Sequence, residues 1–128
     1  MAILAIASSV TACGSDEDEL IAEDPLRGCL ADGGLGAKPP RGAIGYAPLY
    51  LSTTPDFSAF SDDGTRLDVA VLGSERKAKR TAADVQAAML PLGISDTDQR
   101  VVAKQNVVAV FADSPSREER DAVSACLG

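Results

Sequence analysis

The sequence predicts a small α+β domain, a two-layer sandwich of one mostly antiparallel sheet with helices packed on one face. Two observations predict this class. Apolar residues recur at helical spacing in three separate segments, and two pairs of short apolar segments flank turns of the hairpin type. The chain of 128 residues is long enough for one domain with a modest core.

The first predicted helix begins at Asp24-Pro25, because aspartate can cap a helix and proline is tolerated at its first position. Three residues continue it at helical spacing: Leu26, Cys29 and Leu30. Gly33-Gly34 ends the helix. The glycines and prolines of residues 33–48 then predict an irregular loop.

Residues 44–51 predict an edge strand broken by Pro48, since proline cannot donate to a sheet ladder. Tyr46 and Tyr50 lie in this segment and are weak candidates for lining a ligand groove. The alternative is that both tyrosines cover the end of a small core.

The first hairpin is predicted to pair residues 56–60 with residues 65–72, because Asp63-Gly64 between alternating segments favours a tight turn. The carboxylates of Asp62 and Asp63 are interpreted as turn-forming groups, not as a catalytic pair.

The central helix is predicted over residues 75–92. An apolar stripe of helical period supports it: Ala78, Ala82, Val85, Met89 and Leu92. Thr81 and Asp84 also fit a capping box, so a start at Thr81 is the alternative.

A second hairpin is predicted around Lys104-Gln105-Asn106, with Val101-Val102 before it and residues 107–111 after it. Its longer strand is continuously apolar, which favours a central place in the sheet. The last helix is predicted to start at Ser114 or at Ser116. Its inner face is Ala122, Val123, Cys126 and Leu127. The resulting order of helix, strands, helix, strands, helix is loosely ferredoxin-like.

Net charge and residue composition indicate which partners and cofactors to expect. A net charge of −7 argues against nucleic acid, whose phosphates need a basic surface, and the chain has no histidine. We therefore expect no metal and no cofactor. Four residues form one cationic run: Arg76, Lys77, Lys79 and Arg80. They are weak ligand-binding candidates for an anionic polymer or lipid headgroup, and the alternative is a solvated face paired with nearby acids.

Near the N-terminus, a short apolar run and small residues lead to Val10-Thr11-Ala12-Cys13. This pattern resembles the lipobox of a bacterial lipoprotein signal. The resemblance implies cleavage before Cys13 and attachment of diacylglycerol, with fatty acyl chains such as palmitate, to its sulfur. The basic residues that normally open such a signal are expected upstream of Met1. The alternative is an apolar N-terminal element that docks on the core.

The resemblance implies three parts. Residues 1–12 are the signal peptide with a truncated basic region, residues 13–24 are an acidic tether, and residues 25–128 are the globular domain. Six of the eleven residues 14–24 are acidic, which favours an extended, solvated segment. The apolar run is too short to span a bilayer. The expected location is the extracytoplasmic face of the cell membrane, with the membrane contacted through the lipid on Cys13.

With Cys13 lipidated, Cys29 and Cys126 remain as an even pair in an oxidising compartment, where we expect a disulfide. Two buried free thiols are the alternative, as is a cytosolic protein with three free thiols. A redox-active cysteine is not favoured, since the chain has neither a C-x-x-C motif nor a histidine partner.

The expected function is that of a non-enzymatic, lipid-anchored envelope protein that binds an unknown ligand, and the candidate partners are an envelope protein and an anionic polymer. The alternative is a small envelope hydrolase. Its candidate residues are the Ser74/Lys77 pair, which fits an S-x-x-K motif, and three carboxylates: Asp68, Asp96 and Asp98. The Ser-Asp-Asn and Lys-Thr-Gly motifs that accompany S-x-x-K in such enzymes do not occur. The oligomeric state is left open.

Overall fold

A computed structural model describes residues 20–38 and 48–128. Within them, five strands form one sheet in the order β1-β2-β3-β5-β4, and all four neighbouring pairs are antiparallel. The strands are β1 Gly36–Lys38, β2 Phe57–Phe60, β3 Arg66–Val71, β4 Val101–Lys104 and β5 Val107–Phe111. The helices are α1 Glu23–Asp32, α2 Glu75–Met89, α3 Thr97–Arg100 and α4 Arg117–Leu127. The predicted α+β class and its antiparallel sheet are confirmed.

The layering differs from the prediction of helices on one face. One core cluster joins α1 and α4 to the odd-numbered residues of β3 and β5, such as Val69 and Ala109. A second cluster joins α2 to their even-numbered residues, such as Ala70 and Val108. Because successive strand residues point to opposite faces, the two clusters lie on opposite sides of the sheet. Helices therefore cover both faces, and the domain has three layers.

The strand order agrees in part with the loosely ferredoxin-like expectation. The sheet follows the chain order except that β5 lies between β3 and β4 and is antiparallel to both, so β3 and β4 run in the same direction. Helix α2 connects β3 to β4, and the three elements with β5 inserted form one split βαβ unit. β5, which was predicted to lie centrally, is an interior strand between β3 and β4, and all five of its residues are buried.

Both predicted hairpins are confirmed. In the first, β2 and β3 pair with Phe57 opposite Val69, and Gly64 adopts the left-handed φ of 91° that this turn needs. In the second, β4 and β5 pair with Lys104 opposite Val107, and Gln105 takes the positive φ of 53°. Each turn sets the register of its two strands, and this register places their alternate residues in the two core clusters.

Local capping fixes where two helices start. Ser74 accepts a hydrogen bond from the Lys77 N–H and so begins α2, which excludes the alternative start at Thr81. Ser116 and Glu119 form a complete capping box at the start of α4, as predicted for one of the two alternatives.

Four local predictions need correction. Helix α2 ends at Met89 and not at Leu92, because Pro91 cannot continue it, and Leu90–Leu92 form a 3₁₀ turn in which Leu92 is 45% exposed and does not extend the buried stripe. Residues 36–38 form strand β1 within the segment predicted as an irregular loop. Pro48–Leu51 is a 3₁₀ turn, not part of an edge strand; residues 44–47 of that predicted strand lie outside the described residues. Helix α1 starts at Glu23, so Glu23 and Asp24 of the predicted tether belong to the helix.

Within residues 20–38 and 48–128, no helix is both long and apolar enough to cross a membrane.

Candidate functional site

Cys29 on α1 and Cys126 on α4 are joined by a disulfide, with their Cα atoms 5.7 Å apart. The two cysteines are 97 residues apart in sequence, so the bond closes nearly the whole domain. In the chain-entropy model a loop of this size contributes about 4–5 kcal/mol to the free energy of unfolding. The disulfide thus ties the first helix to the last on one face of the sheet.

Hydrogen bonds from Asn106 join the first described residues to the β4–β5 turn. Its side chain is buried, and Ile21 N–H donates to Oδ1 at 2.6 Å. The Nδ2 group donates to the carbonyls of Ile21 and Leu72, each at 3.0 Å. One buried amide therefore satisfies three backbone groups from two distant segments. We call this end of the sheet, where Ile21, Leu72 and Asn106 meet, the entry end.

A shallow apolar groove of about 540 Å³ runs beside the disulfide at the entry end. Its walls are mainly apolar and include Leu20, Ile21, Pro25, Leu26 and Leu127. Gln105 also lines the groove, and its Nε2 donates to the Leu127 carbonyl at 3.2 Å. The groove is open to solvent and continues from the point at which the chain reaches the domain.

The cationic run is placed on the first half of α2. Arg76, Lys77, Lys79 and Arg80 are all exposed, and we call them the basic cluster. Lys79 shares a small cleft with Lys104 and Gln105 of the β4–β5 turn. The basic cluster therefore lies near the entry end. Tyr50, the other described ligand-binding candidate, lies in the 3₁₀ turn Pro48–Leu51 and is half-buried.

The Ser74/Lys77 pair is a helix start in this structure. The Ser74 hydroxyl oxygen accepts the Lys77 backbone N–H at 3.1 Å. The Lys77 side chain is exposed. The residues thus supply a cap to α2, and the Lys77 side chain lies in solvent.

The three candidate carboxylates lie in different surroundings. Asp68 is buried in the sheet, and its Oδ1 accepts from Ser58 Oγ at 2.6 Å and from Arg66 Nε at 3.1 Å. Asp96 precedes α3, and Asp98 lies within α3 and is exposed. In the described part of the chain, no three His, Cys, Asp or Glu side chains come together as a metal site.

Among the described residues, Asp63 and Asp96 have a pKa below the ordinary value of an aspartate. The hydroxyl of Ser114 donates to Asp96 and lowers the pKa of that carboxyl, and Arg100, at 2.9 Å, lowers it further. The Ser61 hydroxyl and the Thr65 N–H likewise lower the pKa of Asp63. Both carboxylates therefore stay ionised to lower pH than ordinary aspartates, which suits turn and helix-start chemistry rather than general acid catalysis.

The buried structural roles of Asn106 and Asp68 were not predicted from the sequence, which offered Asp68 only as a candidate carboxylate of the alternative hydrolase. The local sequence around Asn106 predicts only a turn residue, because its partners Ile21 and Leu72 are 85 and 34 positions away. Asp68 interrupts an apolar strand in Leu67-Asp68-Val69, which is the one local signal of a buried carboxylate. Cys13 and Tyr46 lie outside the described residues, so their predicted roles stay predictions.

The fold and its bridge define a class of protein, namely a small α+β domain closed by a disulfide between its first and last described helices. Comparison with protein-family models, with curated proteins and with solved structures gives no match.

Proposed function

We propose that the chain is a lipid-anchored protein of the cell envelope that acts as a non-enzymatic binding module. The observation that carries the proposal is the pairing of Cys29 with Cys126. Disulfides persist in oxidising compartments and are rare in the cytosol, which supports an extracytoplasmic domain. Of three cysteines, the pairing leaves Cys13, the residue that the lipobox resemblance assigns to the lipid.

The entry end supports the same proposal. Ile21 is held against Asn106, so the chain reaches the domain at a fixed place. Leu20 lies seven positions after Cys13, and a fully extended chain of that length spans at most about 25 Å. An acylated Cys13 would therefore keep the entry end toward the bilayer.

The opposite end of the sheet would then face a partner. Helix α2 starts beside Leu72 at the entry end and leads away from it, and its Gln86 contacts Asp98 of α3 at 3.4 Å. The 3₁₀ turn after α2 exposes Leu90 and Leu92 at 61% and 45%. In the proposed arrangement these two leucines would be available to a protein partner.

The test is mass spectrometry of the intact protein isolated from its native membrane. We expect a chain that begins at Cys13, carries diacylglycerol and has two hydrogens fewer than the dithiol form. Cys13→Ser should lose the lipid, whereas Cys29→Ser with Cys126→Ser should keep it. An unmodified chain that begins at Met1, with three free thiols, would refute the proposal in favour of a cytosolic protein.

A further inference from the structure

Two segments far apart in sequence meet at the entry end. Asn106 Nδ2 lies 3.0 Å from the carbonyl oxygens of both Ile21 and Leu72, so those oxygens are within about 6 Å of each other. Glu19 is two residues before Ile21, and α2 begins three residues after Leu72. The start of the described chain therefore lies beside the start of the helix that carries the basic cluster.

The basic cluster has little counter-charge among the described residues. The salt bridge found there joins Lys79 to Glu75 at 3.6 Å, and the two side chains are 75% and 59% exposed. An ion pair this long and this exposed is weak, because water screens it. Lys104, across the cleft from Lys79, adds a further cation and donates to the Gly128 carbonyl. A chain of net charge −7 thus presents a concentrated positive surface here.

Four consecutive acids precede the entry end in the sequence: Asp16, Glu17, Asp18 and Glu19. They lie outside the described residues, but the sequence fixes their charges and their distance along the chain from Ile21. The five steps along the chain from Asp16 to Ile21 span at most about 18 Å when extended. The first turns of α2, from Ser74 to Arg80, extend only about 9 Å.

We propose that the acidic segment 16–19 pairs with the basic cluster, so that the chain's own acids occupy this surface. Four negative charges face four positive ones, and the covalent link gives the acids an effective concentration in the millimolar range. The pairing is a property of the protein chain and does not depend on lipidation of Cys13. It gives the basic cluster an occupant that an anionic lipid or polymer would have to displace.

Zero-length carbodiimide crosslinking tests the proposal, since it joins a carboxylate to an amine only where the two groups touch. The protein is the full chain with Cys13→Ser and the Cys29–Cys126 disulfide intact. The lysine amines are Lys38, Lys77, Lys79 and Lys104. We expect crosslinks from residues 16–19 mainly to Lys77 and Lys79, several-fold more abundant in about 0.01 M salt than in about 1 M salt, where screening is strong.

Arginine variants keep both lysine amines and change only the field around them. Arg76→Gln or Arg80→Gln should lower the crosslink yield severalfold, whereas Arg117→Gln should leave it unchanged. Arg117 is also exposed on a helix, but it lies at the start of α4, whose far end contacts Gln105 at the entry end.

Two results would overturn the proposal. One is a crosslink yield that is spread evenly over the four lysines and does not respond to salt. The other is binding of the intact chain to phosphatidylglycerol vesicles through the basic cluster, without crosslinks from residues 16–19. That result would make the cluster a lipid-binding surface, and it would leave the test of Cys13 acylation untouched.

Discussion

Ile21 and Asn106, 85 positions apart, are joined by a two-way pair of hydrogen bonds. The Ile21 N–H donates to Asn106 Oδ1 at 2.6 Å, and Asn106 Nδ2 returns a bond to the Ile21 carbonyl at 3.0 Å. The side chain amide thus does for Ile21 what a neighbouring strand does in a sheet, since it satisfies both backbone groups of one residue. This contact decides where the chain meets the domain, and so which end of the domain lies near Cys13 in the proposed function.

Asn106→Ala should lower the free energy of unfolding by about 2–4 kcal/mol, because it leaves three backbone groups of Ile21 and Leu72 without their partner. Urea unfolding measures the loss, and hydrogen exchange at the Ile21 amide should become faster in the same variant. Gln105→Ala, which removes a single bond to Leu127, is the neighbouring control and should cost about 1 kcal/mol or less. Equal costs for the two variants would show that Asn106 does not hold the entry end.

Replacing both Cys29 and Cys126 by alanine should lower the free energy of unfolding by about 2–5 kcal/mol, since the unfolded chain regains the entropy of an open loop. Guanidinium unfolding with and without reductant measures the same difference in the natural chain. Cys13→Ser is the matched control and should leave the unfolding curve of the oxidised domain unchanged. A natural chain whose stability does not respond to reductant would contradict the pairing.

The elements that the sequence predicted correctly depend on neighbours in the chain. Asp63-Gly64 sets the first hairpin, and Ser116 with Glu119 sets the start of α4, within a few residues. The contacts of Asn106 depend on segments that only the completed fold brings together, so its role could not be read from its local context.

The layering could be predicted in part from the sequence. The continuous apolar run of β5 was interpreted as a central strand, and a strand that is apolar on both faces needs cover on both faces. Val108 and Val110 point to the side of α2, whereas Ala109 and Phe111 point to the side of α1 and α4. Applied consistently, the same signal predicts three layers.

The pairing of Cys29 with Cys126 was predicted from the number of cysteines and the expected compartment. The structure places both cysteines on the face shared by α1 and α4.

Asp68→Ala should lower the free energy of unfolding by about 3 kcal/mol, because it removes a buried acceptor from Ser58 and Arg66. Asp68→Asn should cost less, since its side chain oxygen can still accept from Ser58. Asp62→Ala, exposed in the turn of the same hairpin, should change stability by about 0.5 kcal/mol or less. Urea unfolding of the three variants at one pH compares them, and an Asp68→Ala cost no larger than that of Asp62→Ala would refute a structural role for the buried carboxylate.

Asp96 should make stability depend on pH at the acid end. The Ser114 hydroxyl, and then Arg100, hold the pKa of Asp96 in the folded protein below its unfolded value of about 3.8. A lowered pKa means that the carboxylate stabilises the fold above the unfolded pKa, and that this contribution is lost as the pH falls through the folded pKa. Asp96→Asn removes the contribution at every pH.

The difference in free energy of unfolding between the natural chain and Asp96→Asn should therefore be constant between about pH 5 and pH 8, and should shrink as the pH falls below about 4. Ser114→Ala should weaken the same dependence, since its hydroxyl is the main cause of the lowered pKa. Asp113→Asn removes one exposed negative charge from the neighbouring loop and controls for net charge. A difference that stays the same from pH 7 to pH 2.5 would show that Asp96 is held by contacts that do not depend on its ionisation.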